Sequence, residues 1–363
     1  MDWRRRLLLA ATGLAWSCQA SESLVDAPVL SQVRQVVLQD SLAGLAWPTA
    51  LATDPDGGFY VLEIRFGMVH RFHSDGGFLR HYGVPGDGPG ELRLPVAAGT
   101  VADTILAVAD LAHQGVELFD RRTGGSLGRL PVPERPSSIA AAGGDLWVGA
   151  IAEAKGTALF RGTAPSGPLT AVGRLPVEYQ AGGVVAGNYS RVIAVPGTDG
   201  TVLVGFEASD SLDLMDAAGR WTRLHLPRRT RRGLLAEANT VLRTKRFDEI
   251  MVAQSSLTAL ARMSDGSIAA VHLDQRLTAP PPIRPGPNGR LPVTADLYIS
   301  VISADRRRAC ADARLKPLGG LIPQVAFRGD TLLVLDQDSI GSTVSTTITA
   351  YVIDTTHCRW MPT

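Results

Sequence analysis

Lysine is nearly missing from this chain. Lys155, Lys245 and Lys316 are its three lysines, so 33 of its 36 basic residues are arginine. An excess of either charge is missing as well, since 36 Lys+Arg face 35 Asp+Glu for a formal charge of +1. No overall field therefore recruits nucleic acid or an anionic membrane. Aromatic residues make up 6% and do not interleave with basic ones, as single-stranded nucleic acid would require. Beyond the N-terminus no 18 consecutive apolar residues occur, which is short of the roughly 20 needed for a spanning helix. Cysteine is confined to Cys18, Cys310 and Cys358.

What is present favours a folded, turn-rich chain. Hydrophobic residues make up 45% of 363, enough to bury a sizeable core and to exclude wholesale disorder. Gly 38 plus Pro 23 is 61 residues, about one in six, which favours many turns over long helices. The length suits two or three domains, unless a closed all-β fold absorbs it in one unit.

Residues 1–20 read as an export signal. Arg4, Arg5 and Arg6 precede the apolar stretch Leu7–Trp16, which is too short for a membrane anchor. Two processing routes fit. Ala15-Trp16-Ser17-Cys18 is similar to a lipobox with Cys18 as the acylated residue, and small residues at Cys18 and Ala20 suit cleavage after Ala20. Residues 21–32 read as a polar tether. The expected location is the periplasm, the outer membrane through a lipid on Cys18, or the medium.

From residue 33 the dominant signal is recurrence. Pro48–Thr53 leads through Asp54-Pro55-Asp56-Gly57-Gly58 into Phe59–Glu63, then Met68–Phe72, a turn at Ser74–Gly77, and Phe78–Tyr82. The order returns from Thr104, Ser138, Arg191, Leu257 and Gln324, the last unit carrying a tail at Cys358–Trp360. Short β-rich runs between Gly/Asp/Pro turns, four per unit, are what a propeller blade requires. The expected fold is all-β, a six-bladed propeller of four-stranded antiparallel blades over 33–363, with one short helical insertion. Val33–Leu38 has no blade of its own and is expected to join the sixth, closing the ring without a long unpaired edge.

Asp110, His113, Val116, Phe119 and Asp120 resemble the NHL repeat pattern. Gly83–Leu92, with Pro95 following, is similar to the link in exported bacterial six-bladed propellers of the TolB-like/NHL superfamily. The likeness is close over about residues 47–130 and architectural beyond. It implies a fold shared by lyases, lactonases and binding proteins, and no particular activity.

Each second strand ends in or near an acid: Glu63, Asp110, Glu153, Glu207, Asp274 and Asp336. On one face of a propeller these form a ring at the channel mouth, able to take Ca²⁺ or a cationic ligand. Metal candidates are Glu63, Asp110, Glu207 and Asp336, with His113 nearby. Alternatively, each carboxylate bonds backbone N–H groups of its own loop. The insertion 227–249 carries Arg228, Arg229, Arg231 and Arg232, and Leu234, Leu235, Ala238, Val241 and Leu242 at helical spacing. It reads as a mobile lid over the acids, whose arginines add little stability, as a dock for an anionic partner, or as a separately solvated basic helix. Gly124–Gly128 matches G-x-S-x-G, but Pro131 and Pro133 forbid the helix that a nucleophile elbow needs. His70 and His73 stand three apart on a strand and point to opposite faces.

Cys310 and Cys358 remain after export, and an even pair in an oxidising compartment implies a disulfide or two buried thiols. The functional expectation is a monomeric binding or scaffold module in the cell envelope, with a protein or small-molecule ligand. It needs no nucleic acid, no cofactor unless Ca²⁺, and no membrane except through a lipid anchor. The alternative is a metal-dependent propeller hydrolase or lyase of the lactonase type.

Overall fold

Strands of five or six residues, broken by Gly and Asp turns, cannot each bury a face alone. Here they stack radially. A computed structural model describes residues 27–151, 157–173, 175–176, 179, 191–233, 255–277, 293–318, 323–340 and 343–363. Its strands form six antiparallel four-stranded blades in a propeller ring, one of them extended by a fifth strand.

Blade one comprises Pro48–Thr53, Phe59–Glu63, Met68–Phe72 and Phe78–Tyr82. Blade two comprises Pro95–Val101, Ile105–Asp110, Gly115–Asp120 and Ser126–Pro131. Blade three comprises Pro136–Ala142, Asp145–Ala150, Leu159–Thr163 and Thr170–Ala171, and blade four Val192–Pro196, Val202–Phe206, Ser211–Met215 and Trp221–His225. Blade five is built from Ser255–Arg262, Ile268–Leu277, Val293–Ile302 and Arg308–Leu318. Blade six takes Gln324–Arg328, Thr331–Ile340 and Thr343–Asp354, with Val29–Val37 as its outer strand. The first strands of successive blades contact one another all the way round, so they line the centre.

The core is distributed between blades. Among the described residues, each of the six blade interfaces holds one hydrophobic cluster. Second strands lie deepest; Phe59–Glu63 and Val202–Phe206 are buried at every position. A strand covered on both faces reads as a continuous apolar run, which is why these segments lack alternation.

The N-terminal strand closes the ring as expected, but it begins at Val29, inside the stretch read as tether. It pairs antiparallel with Thr343–Asp354 over Val29–Val37. The chain then passes against blade one, where Gln39 N–H donates to Gly76 O at 3.0 Å. A Cβ at Gly76 would stand 2.2 Å from Val37 O, and its φ is +93°. Glycine is required there on both counts.

Two local readings are corrected. The C-terminal tail belongs to blade five: Met361–Pro362 pairs with Arg308 and Ala309. Blade two starts at Pro95, in a stretch whose Ala and Gly content makes it look like a link. The helix that is present among the described residues is one turn, Asp40–Ala43, ahead of blade one. The helical part of the insertion, from Leu234, lies outside the described residues, as do Cys18, the rest of the stretch 1–20 read as an export signal, and Glu153. Cys310 and Cys358 form a disulfide, with Cα atoms 5.8 Å apart.

Candidate functional site

All second strands run towards one face of the ring. There the second strand turns into the third, and each blade's outer strand passes to the next inner strand.

Glu63 and Asp110 occupy matching places, each opposite the proline that begins its blade's inner strand. Residues just before such a proline have N–H groups that no strand pairs, so an acceptor must come from elsewhere. Glu63 is buried. It accepts the N–H groups of Ala46 at 2.8 Å, Trp47 at 2.6 Å and Arg65 at 2.9 Å. Asp110, also buried, accepts those of Arg93 at 2.7 Å, Leu94 at 3.3 Å, Ala112 at 3.0 Å and His113 at 3.1 Å. Both carboxylates are engaged by their own loops.

The other acids differ in surroundings. Glu207 accepts the Arg191 N–H at 3.1 Å, and burial pushes its carboxyl up against the opposing pull of Arg191. Asp274 is buried; burial alone would raise it, but Arg232 and then Arg276 hold its carboxyl below the usual range. Asp336 accepts the N–H of Gln337 at 3.0 Å. In blade three the place opposite Pro136 is Ala150. Among the described residues no three His, Cys, Asp or Glu side chains stand where they could hold one metal ion.

His113 joins two carboxylates. Its Nδ1 lies 3.2 Å from Asp110 Oδ2 and its Nε2 3.0 Å from Asp87 Oδ1. Asp87, in the Gly83–Leu92 link, also pairs with Arg93, and Arg93 followed by His113 holds its carboxyl below the usual range. These contacts fasten the link across blade two. The sequence placed His113 at the mouth but not its partner Asp87, nor Arg93, which pairs with Asp87; both belong to a segment without strand periodicity.

The described start of the insertion is no loose lid. Asp312 Oδ2 accepts three successive backbone N–H groups, from Arg229 at 2.5 Å, Thr230 at 2.7 Å and Arg231 at 3.1 Å. Arg231 is buried and pairs with Asp210 at 2.5 Å; Arg228 reaches the same Asp210 at 2.9 Å. Arg232 Nε donates to Asp274 Oδ1 at 2.7 Å. The expectation that these arginines add little to stability does not fit Arg231, whose burial between Asp210 and Asp312 makes it a bolt between blades four and five. Arg232 does meet an acid of the predicted ring.

Beside blade one this face turns two large aromatics to water. Trp47 is 60% exposed and Phe66 40%, with Val84 exposed beside them. Their segments touch. Ile64 N–H donates to Trp47 O at 3.4 Å, and a Cβ on Gly67 would lie 3.5 Å from Pro85 Cα. The Arg65 guanidinium sits over the Phe66 ring at 5.6 Å. Buried Glu63 bonds the backbone of both Trp47 and Arg65, so one carboxylate sets the spacing of the two aromatic loops. Sequence reasoning passed over Trp47 and Phe66, because a lone aromatic beside a strand reads as core.

Solved structures place the fold. A DUF4221-family member from Bacteroides vulgatus superposes with a TM-score of 0.62 at 10% identity, covering 91% of this chain and 99% of that one. A Bacteroides fragilis protein described as exported gives 0.57 at 13% identity, covering 89% and 95%. Virginiamycin B lyase from Staphylococcus aureus gives 0.50 at 12% identity, covering 89% and 99%. The shared feature is the propeller. No family model matches the chain, and no curated protein matches it in sequence.

Proposed function

We propose that this protein is an exported propeller that works as a binding module, taking a protein partner on the face that carries Trp47, Phe66 and Val84. The observation behind the reading is that two large aromatics stay exposed while a buried carboxylate, Glu63, braces the loops beneath them. Aromatic and arginine side chains dominate the energetics of protein interfaces, and a braced loop loses little entropy on docking. The NHL-type spacing from Asp110 to Asp120 and the signal-like residues 1–20 support placing it among exported propellers of the cell envelope, with Cys18 as a lipid attachment point. This reading needs no metal, because the carboxylates of Glu63 and Asp110 are already occupied by backbone N–H groups.

Affinity capture from envelope extract with the wild-type protein and a Trp47→Ser/Phe66→Ser variant tests it. A partner held by the wild type should be lost from the variant, with the melting temperature unchanged because both side chains are exposed. Identical partner sets for the two proteins would remove this face from the function. A Glu63→Ala variant should weaken the same partner, and should lower stability as well by about 1–3 kcal/mol for its orphaned N–H groups.

A further inference from the structure

A groove of about 590 Å³ opens between blades three and four, whereas Trp47 stands beside blade one. Gly173, Leu175, Asp213, Trp221 and Arg223 line it. Its volume falls within the roughly 300–1,000 Å³ of small-molecule sites. Asp213 pairs in register with Arg223, and Met215 with Trp221, on the last two strands of blade four. Residues two apart on a strand share a face, so Asp213, Trp221 and Arg223 point the same way.

Two features look built. Trp221 is 41% exposed, although large aromatics gain most from burial. Its indole closes on the chain at Gly173, where a Cβ would stand 2.9 Å from Trp221 Cζ2 and the φ of +81° suits glycine alone. Beside it Arg223 and Asp213 form a two-pronged pair, Nε to Oδ1 at 2.8 Å and Nη2 to Oδ2 at 3.1 Å. The arginine side chain of that pair is 46% exposed.

The pair decides the class of ligand. An anion arriving at Arg223 meets Asp213, and a cation arriving at Asp213 meets Arg223, so this pair by itself favours neither charge. A wholly apolar ligand would strip water from the pair and return no hydrogen bond. A ligand with one apolar face and a rim of hydroxyls satisfies indole and ion pair together. We propose that this groove binds a pyranose sugar, its C–H face stacked on Trp221 and its hydroxyls bonded to Asp213 and Arg223. The site is independent of the partner face proposed above.

Saturation-transfer NMR on the full chain tests this with methyl β-glucoside, N-acetylglucosamine and chitobiose at millimolar concentration, and cyclohexanol as an apolar control. Ring C–H protons of at least one sugar should receive saturation, and cyclohexanol none. Trp221→Ala should weaken the bound sugar about tenfold, the scale of one aromatic stack. Arg223→Ala should weaken it too and provides the same reading should the tryptophan variant fold poorly. No transfer to any of the sugars, equal transfer to cyclohexanol, or undiminished binding in both variants would each overturn the proposal.

Discussion

Arg231 and Asp312 face each other with their side chains 1% and 0% exposed, Nε to Oδ1 at 3.1 Å. Removing Asp312 leaves the buried guanidinium its contact with Asp210 at 2.5 Å, but takes the acceptor from three successive N–H groups. At about 1–3 kcal/mol for each orphaned donor, Asp312→Ala should cost about 3 kcal/mol or more. Arg228→Ser, at the half-exposed end of the same cluster, should cost about 0–1 kcal/mol. Urea midpoints of the two variants measure the contrast. Equal, small shifts would mean that the segment does not clamp blades four and five.

Ring closure depends on the N-terminal strand. Deleting residues 21–39 removes the outer strand of blade six together with buried Val36 and Leu38. Two such side chains are worth about 3–6 kcal/mol, and at about 2–4 °C per kcal/mol the melting temperature should fall by roughly ten degrees or more. A truncated protein that melts with the full one would show that blade six is complete without this strand.

The Cys310–Cys358 bond works beside that closure. The two cysteines are 48 apart in sequence, and the described part of blade six that the C-terminal half contributes lies between them. The loop-entropy treatment assigns such a bridge about 4 kcal/mol. A double Cys→Ser variant should lose a sizeable part of that in denaturant, and peptide mapping without reductant should recover the linked pair. Two free thiols from oxidised material would contradict the pairing.

Acid should loosen blade one. His70 is buried, and neither ring nitrogen has a hydrogen-bond partner among the described residues. Burial, and then His81, pull its pKa down from 6.5 to about 4. Between those values the unfolded chain binds a proton that the folded one refuses, so stability is full above pH 6.5 and is lost as pH falls towards 4. The loss is on the order of 3 kcal/mol. His272, lowered by burial and then by Arg231, acts in the same sense. Denaturation midpoints at pH 7, 5.5 and 4.5 should fall less steeply for His70→Leu, and a slope identical to wild type would exonerate this histidine.

Local order was legible in the chain because it is local. Turns such as Asp54–Gly58 and the apolar runs between them determine strand, hairpin and blade, and an orphan strand with an unfinished last blade determines how the ring closes. The pairing of Cys310 with Cys358 followed from there being two of them. The roles of the acids were decided elsewhere. Glu63 and Asp110 look the same in sequence whether they face a channel or their own loops, and only folding brings the N–H groups of Ala46 and Arg93 within reach. Asp312 sits between two alanines and gives no local sign of its partners, 81 to 83 residues away. Whether Trp47 and Trp221 are core or surface depends on which neighbour covers them. Hydrophobic periodicity reports the face of a strand, whereas charge pairing and exposure depend on how six blades meet, and that geometry exists only in the closed ring.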